Sequence, residues 1–206
     1  MPFGLAPKYL FPPAVQYVAR LDGATQYWDL RDLQGIPTDI VLPVNSNFKI
    51  NLNIIGGNTG FEGLLDSPDG RLWLRFLSRT QSNNLQGYVD GSYVSEFPNT
   101  ESNIRDGNEH TVSIIREAGL FYLGVDGVSA ETTVTDNSEL SLNRLARFST
   151  VEFGGVVKDF QVEINGALTN QIPLTNKAQG ATQLATVGNV NATMINYTGD
   201  EWEVRP

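Results

Sequence analysis

An all-β fold, with two antiparallel sheets packed as a sandwich, is what this sequence predicts, and three observations carry the prediction. Short segments of alternating apolar and polar residues recur along most of the chain. Five Asp-Gly dipeptides punctuate them: Asp22-Gly23, Asp69-Gly70, Asp90-Gly91, Asp106-Gly107 and Asp126-Gly127. Residues 106–135, DGNEHTVSIIREAGLFYLGVDGVSAETTVT, read as three strands joined by two tight turns. Asp-Gly suits a two-residue hairpin turn because both central residues need positive φ, which Gly accepts freely and Asp tolerates. Period-two patterning with one polar face means half-buried antiparallel sheets. Many short strands with regular turns mean a sandwich or jelly roll.

Taken in order, residues 1–13 form an arm with Pro2, Pro7, Pro12 and Pro13. Proline fixes φ and lacks a donor, so the arm is neither helix nor central strand. Phe3, Leu5, Tyr9, Leu10 and Phe11 make it apolar, for packing on its own domain or docking on a neighbouring subunit. Residues 14–206 are expected to form one domain. Candidate strands 15–21 and 25–30 flank the first Asp-Gly turn. Residues 48–55, FKINLNII, put Phe48, Ile50, Leu52 and Ile54 on one face, with Lys49, Asn51 and Asn53 on the other. Residues 71–78, RLWLRFLS, set Leu72, Leu74 and Phe76 opposite Trp73 and Arg75. Strands at 85–89 and 93–97 flank the third turn. In the 106–135 meander, Thr111, Ser113 and Ile115 alternate with Val112, Ile114 and Arg116. The one helix candidate lies near 137–146, and it reads equally as a loop with one turn of helix. Strands at 160–164 and 193–197 complete the set. Residues 167–192 look like a long loop with at most one strand, before a final pair of strands at 193–204.

Composition narrows the class. A chain of 206 residues, 40% hydrophobic, is long enough for a sizeable core. It contains no cysteine, which excludes disulfides, thiolate metal sites and a cysteine nucleophile. A net charge of -9 and the lack of any basic run argue against nucleic acid. No stretch is apolar and long enough to insert in a bilayer, and the start has no secretory pattern.

Two segments resemble laminin G-like domains of the concanavalin A-like lectin and glucanase superfamily. One is Asp106-Gly107-Asn108-Glu109-His110-Thr111-Val112, leading to Leu123-Gly124-Val125-Asp126-Gly127. The other is residues 153–166, FGGVVKDFQVEING, which is similar to the family's closing strand. Glu109 stands where the family usually has Trp, and the family's extracellular cysteine is missing. The ending, ATQLATVGNVNATMINYTGDEWEV, gives an ordering similar to bacteriophage-encoded versions that serve as virion components. The resemblance implies a concanavalin A-like jelly roll and a non-enzymatic role in a virion, on a capsid surface, tail or fibre. A virion role carries homo-oligomers, because virion sites are repeated by symmetry, and contacts with other virion proteins or a host-surface glycan; the fold resemblance by itself implies no ligand. A free carbohydrate-binding lectin is the alternative, and a polysaccharide hydrolase the third reading.

The residues themselves are sparing with chemistry. His110 is the only histidine and matches the family's structural one. Glu201 and Glu203 have the i, i+2 spacing that sets two carboxylates roughly 6.7 Å apart on one strand face, as a glycosidase needs. They flank Trp202 near the C-terminus and lack a third acidic partner, so no catalytic residue is assigned. Asp159 and Glu163 are four residues apart, about 13 Å along a strand, too far for that role. No organic cofactor is expected. Calcium, bound by several relatives on rim loops, would fall to Asp66 and Asp69 in DSPDG, or Asp136 with Asn137. Two side chains do not supply its six to eight oxygens, and DSPDG is also a good turn. Asn191-Ala192-Thr193 and Asn196-Tyr197-Thr198 match the glycosylation pattern, which is common by chance.

Exposed flat rings anchor both sugars and proteins. Trp73 and Arg75, with Tyr88, Asp90 and Tyr93 around the third turn, are the candidate ligand-binding set. If their face meets solvent they form a polar-aromatic patch, and if a second layer covers it they are packing residues.

Overall fold

The structure is a computed structural model that describes residues 15–56, 62–76, 84–97 and 106–205. The arm residues Phe3, Leu5, Tyr9, Leu10 and Phe11 lie outside the described residues. The strands are β1 (Gln16–Ala19), β2 (Tyr27–Arg31), β3 (Ile40–Leu42), β4 (Phe48–Gly56), β5 (Glu62–Asp66), β6 (Leu72–Phe76) and β7 (Leu85–Val89). Then follow β8 (Ser92–Phe97), β9 (Glu109–Glu117), β10 (Leu120–Val125), β11 (Val128–Thr135), β12 (Leu140–Leu142), β13 (Arg144–Leu145), β14 (Arg147–Phe148) and β15 (Val151–Glu152). The last are β16 (Gly155–Ile164), β17 (Ala167–Ile172), β18 (Thr182–Gln183), β19 (Asn191–Ile195) and β20 (Trp202–Arg205).

Two antiparallel sheets carry the fold. One runs β11-β10-β9-β4-β16-β17, the other β18-β19-β2-β13-β5-β6-β7-β8. Their inner faces share one core. Phe48, Ile50, Leu52, Ile54, Val112, Ile114, Phe121 and Leu123 come from the first sheet; Trp28, Leu30, Leu72, Leu74, Phe76, Leu85 and Met194 come from the second. The sheets approach so closely at Gly87 that a Cβ there would meet Leu123 Cδ2 at 2.9 Å. The ribbon of β3 and β12 adds Ile40, Leu42, Leu140 and Leu142 to the same core.

The expected meander is present as β9, β10 and β11, paired in order. Asp126-Gly127 turns with φ of 51° and 81°, and Asp90-Gly91 with 41° and 91°, as a two-residue hairpin requires. The first Asp-Gly turn is different. β1 pairs with β20, while β2 pairs with β13 and β19, so the chain switches partners there rather than making a hairpin. The Asp22 carboxylate accepts from the backbone N–H of Ala24, Thr25 and Gln26 and from the Thr25 hydroxyl. Burial pushes its pKa up, but those bonds prevail and hold it down at about 2.

Two expectations are corrected. Residues 137–146 hold β12 and β13, not a helix, because Leu140 and Leu142 alternate into the core while Ser141 faces out. Residues 167–192 contain β17 and β18 and enter β19, not one strand at most. The two final strands expected at 193–204 are present, β19 joining the eight-stranded sheet and β20 joining β1. Among the described residues no helix is long and apolar enough to cross a membrane.

Candidate functional site

Register places one residue from each strand of the eight-stranded sheet in a single row on its outer face. From one edge the row reads Tyr93, Tyr88, Trp73, Asp66, Arg144, Asp29, Thr193 and Thr182, each the direct cross-strand partner of the next. Strand spacing sets neighbours about 4.8 Å apart, so the row is a continuous stripe, aromatic at one end, charged at the centre and hydroxylic at the other. It exists because β6 and β7 alternate: Leu72, Leu74 and Phe76 enter the core, so Trp73 points the other way.

A second layer covers part of this face. The hairpin β14–β15 crosses β5 at Gly63, where a Cβ would meet the Phe148 backbone N at 1.9 Å. Phe148 thereby packs on Trp73 with ring centroids 4.6 Å apart. Tyr88 stacks on Trp73 at 4.9 Å, with the rings within 2° of parallel. Tyr93 meets both edge-on, at 5.9 and 5.5 Å. Trp73 is consequently buried, 5% exposed, whereas Tyr93 is 59% exposed. Between these rings, the Ser67–Gly70 turn and the hairpin lies an open cleft of about 490 Å³, lined by Asp66, Trp73, Tyr88, Tyr93, Arg144, Phe148 and Ser149 among others.

The polar groups of the cleft are partly committed. Ser149 N–H donates to Asp66 Oδ2 at 3.2 Å, and Arg144 Nη1 lies 3.5 Å from the same oxygen. Burial pushes the Asp66 carboxyl above its ordinary value, against the pull of Ser149 and Arg144. Arg144 Nε is buried with no hydrogen-bond partner among the described residues. The Arg144 side chain is 34% exposed, and that exposure lies beyond the buried Nε.

The sequence candidates divide. Trp73, Tyr88 and Tyr93 line the cleft together. Arg75 sits over the Trp73 ring at 4.5 Å and donates to Gln86 Oε1, and it lines a separate smaller hollow beside Phe148. Asp90 pairs with Arg71 at the hairpin end, away from the lining residues. Asp66, Arg144, Phe148 and Ser149 join the cleft without being named as ligand-binding by sequence. Asp66 stood out only as a turn or calcium residue. Arg144 fell in the one helix candidate, and strand alternation through Leu140 and Leu142 is the signal that places it on the outer face.

The other candidates are occupied by structural bonds. Asp69 accepts from Ser67 Oγ and Arg71 N–H, and Asp136 from Ser138 N–H. Asp66 faces the cleft instead of Asp69, and no group of three or more metal-binding side chains exists among the described residues, so the arrangement does not fit calcium. Glu201 lies in the turn before β20 and accepts from Thr198 and Gly199 N–H and from Gln26 Nε2, while Glu203 pairs with Arg20. His110 is held between Asp126 Oδ2 at 2.7 Å and Asp106 Oδ1 at 3.1 Å.

The backbone is similar to that of a Bacteroides ovatus protein to which carbohydrate binding has been ascribed. The TM-score is 0.60 at 12% identity, covering 94% of this chain and 61% of that one. The fold is a concanavalin A-like jelly roll. Domains 4 and 5 of the laminin G set in mouse laminin α1 align with TM-score 0.48 and 15% identity, over 92% of this chain and 48% of that one. The carbohydrate-binding module 66 of Bacillus subtilis aligns with TM-score 0.39 and 14% identity, over 68% and 96%. This chain thus spans less than two thirds of the Bacteroides ovatus and laminin chains. No family model matches the sequence, and no curated protein matches it.

Proposed function

We propose that this protein binds carbohydrate, without turning it over, in the cleft beside Trp73. The observation that carries this reading is the cross-strand row in which stacked rings give way directly to a carboxylate and a guanidinium. A sugar ring presents an apolar C–H face and an equatorial rim of hydroxyls. Tyr88, Tyr93 and Phe148 offer flat apolar surface held in place by Trp73. Asp66 accepts hydroxyl protons, and the exposed part of the Arg144 guanidinium donates. A volume of about 490 Å³ falls within the ordinary range for small-ligand sites. Asp66 is the only carboxylate among the lining residues, whereas glycoside hydrolysis ordinarily needs a pair, which supports binding over turnover. The ascription made for the Bacteroides ovatus protein of similar fold points the same way. The virion reading rests on the arm at residues 1–13, the lack of cysteine and the ordering of the C-terminal segment rather than on the cleft, so the free lectin is the reading adopted.

The test is a glycan array with the purified chain, followed by calorimetry on any glycan bound. Tyr88→Ala and Arg144→Ala are each expected to weaken binding about tenfold or more, the effect of losing roughly 1.4 kcal/mol or more at a central contact. Binding unchanged in both variants, or no binding to any glycan, overturns the reading.

A further inference from the structure

The outer face of the six-stranded sheet holds a second cluster that sugar binding does not use. Thr111, Asn53 and Lys158 form one cross-strand row over β9, β4 and β16, and Glu109, Ile55 and Val156 form the row beside it. Glu109 reaches across from its row with both oxygens engaged. Oε2 lies 2.7 Å from Lys158 Nζ, and Oε1 accepts from Asn53 Nδ2 at 3.2 Å. One carboxylate therefore holds a primary amine and a primary amide side by side. The Thr111 hydroxyl donates to Asn53 Oδ1 at 2.8 Å, where it polarises the amide carbonyl. A bulge in β16 brings Asp159, at φ 49°, onto the same face as Lys158, within 3.4 Å of Asn53 Nδ2. The Lys158 side chain is only 13% exposed, beside the apolar group Val18, Ile55 and Val156.

We infer that Lys158 and Asn53 form an intramolecular isopeptide bond, with Glu109 as the proton shuttle. Lys158 Nζ gives a proton to the Glu109 carboxylate 2.7 Å away, which leaves a neutral amine. The amine attacks Asn53 Cγ. Charge develops on Oδ1, where the Thr111 hydroxyl already donates. Glu109 returns the proton to Nδ2, the Cγ–Nδ2 bond breaks, the nitrogen leaves as ammonia, and Nζ, now bonded to Cγ, gives its second proton to the Glu109 carboxylate. The Nζ–Cγ bond replaces the Cγ–Nδ2 bond. No oxidant or co-reactant enters the balance. Folding itself supplies the rate advantage by fixing amine and amide as cross-strand partners on one carboxylate. The product ties β4 to its neighbour β16 and closes a long chain segment between residues 53 and 158.

The experiment is intact-mass measurement of the purified full chain, with peptide mapping. The expected result is a chain lighter than its sequence by one ammonia, with a branched peptide joining Lys158 to Asn53. Lys158→Arg and Glu109→Gln are expected to restore the unmodified mass. A wild-type mass equal to the sequence overturns the inference. An ammonia loss that persists in Lys158→Arg also overturns it, because the loss then belongs to a cyclised asparagine such as Asn165 before Gly166. If a variant does not fold, the branched peptide in the wild-type chain decides: its absence sinks the bond.

Discussion

The Arg116 guanidinium lies 4.8 Å over the Phe48 ring and is fully buried, 0% exposed, on the core side of β9. It donates to the carbonyls of Ser46, Ser138 and Pro43 and to the Ser46 hydroxyl. One cation thus ties the segment before β4 and the segment before β12 to the middle of the sheet. Arg116→Met keeps much of the apolar contact with Phe48 but leaves the Ser46 and Ser138 carbonyls without that donor, while Pro43 O keeps the Ser46 N–H and hydroxyl. Each buried unsatisfied group costs about 1–3 kcal/mol, so a loss of about 2 kcal/mol or more is expected in urea unfolding. Arg116→Lys should recover only part, because one ammonium cannot span the same fork of acceptors. A midpoint unchanged in Arg116→Met would show that the fork contributes nothing.

Stability should fall as pH rises through the titration of His110. Burial lowers its pKa, but the hydrogen bonds to Asp126 and Asp106 outweigh burial and hold it above its ordinary value of 6.5. A raised folded pKa means the contribution is fully present below about pH 6.5 and is lost as pH climbs through the folded value. Asp106 is itself held below the usual carboxylate range, first by the Asn108 N–H and then by His110, so it stays charged across that window. Unfolding measured from pH 6 to pH 9 should show this decline in the wild type and a flatter profile in His110→Gln. Equal slopes in the two proteins would remove the link to His110.

How much of this was legible in the sequence depended on distance along the chain. Hairpins such as β7–β8 and β9–β10 show because turn and strands are adjacent, and alternation in residues 48–55 fixed which side of β4 is buried. The partner switch at Asp22-Gly23 does not show, since β1 meets β20 nearly the whole chain away. The short strands β12 and β13 imitate a helical turn, because Leu and Arg carry high helix propensity and two or three residues leave no period to read. The aromatic half of the cleft lies within one hairpin and its neighbour, so Trp73, Tyr88 and Tyr93 were visible together. Its charged half needs the pairing of β13 with β5, a long-range contact that no local pattern encodes.

Gly63 should be intolerant of any side chain. A Cβ there would meet backbone atoms of Phe148 and Arg147 at 1.9 and 2.3 Å, and backbone cannot swing aside as a side chain can. Gly63→Ala is therefore expected to lift the β14–β15 hairpin off β5, separating Phe148 from Trp73. Overpacking of this kind costs about 1–3 kcal/mol. Two readouts should move together: the melting temperature, and the near-ultraviolet circular dichroism of the Trp73 environment. A wild-type dichroism spectrum in Gly63→Ala would mean that the hairpin does not need this close approach.

Affinity and stability should separate at Tyr93 and Asp66. Tyr93 is 59% exposed and meets its neighbours edge-on, so Tyr93→Ala should change stability by about 0.5 kcal/mol or less while weakening glycan binding about tenfold. Trp73→Ala should damage both, since the buried indole supports Tyr88 and Phe148. Asp66 adds a pH signature. Its carboxyl is held above its ordinary 3.8 by burial, so on acidification it takes up a proton earlier than an exposed aspartate does. A protonated Asp66 accepts fewer hydroxyl protons and attracts Arg144 less, so affinity should decline as pH falls toward that raised value. Asp66→Asn should bind more weakly at neutral pH and lose this acid dependence. A wild-type affinity that stays flat down to the ordinary aspartate range would take Asp66 out of the binding site.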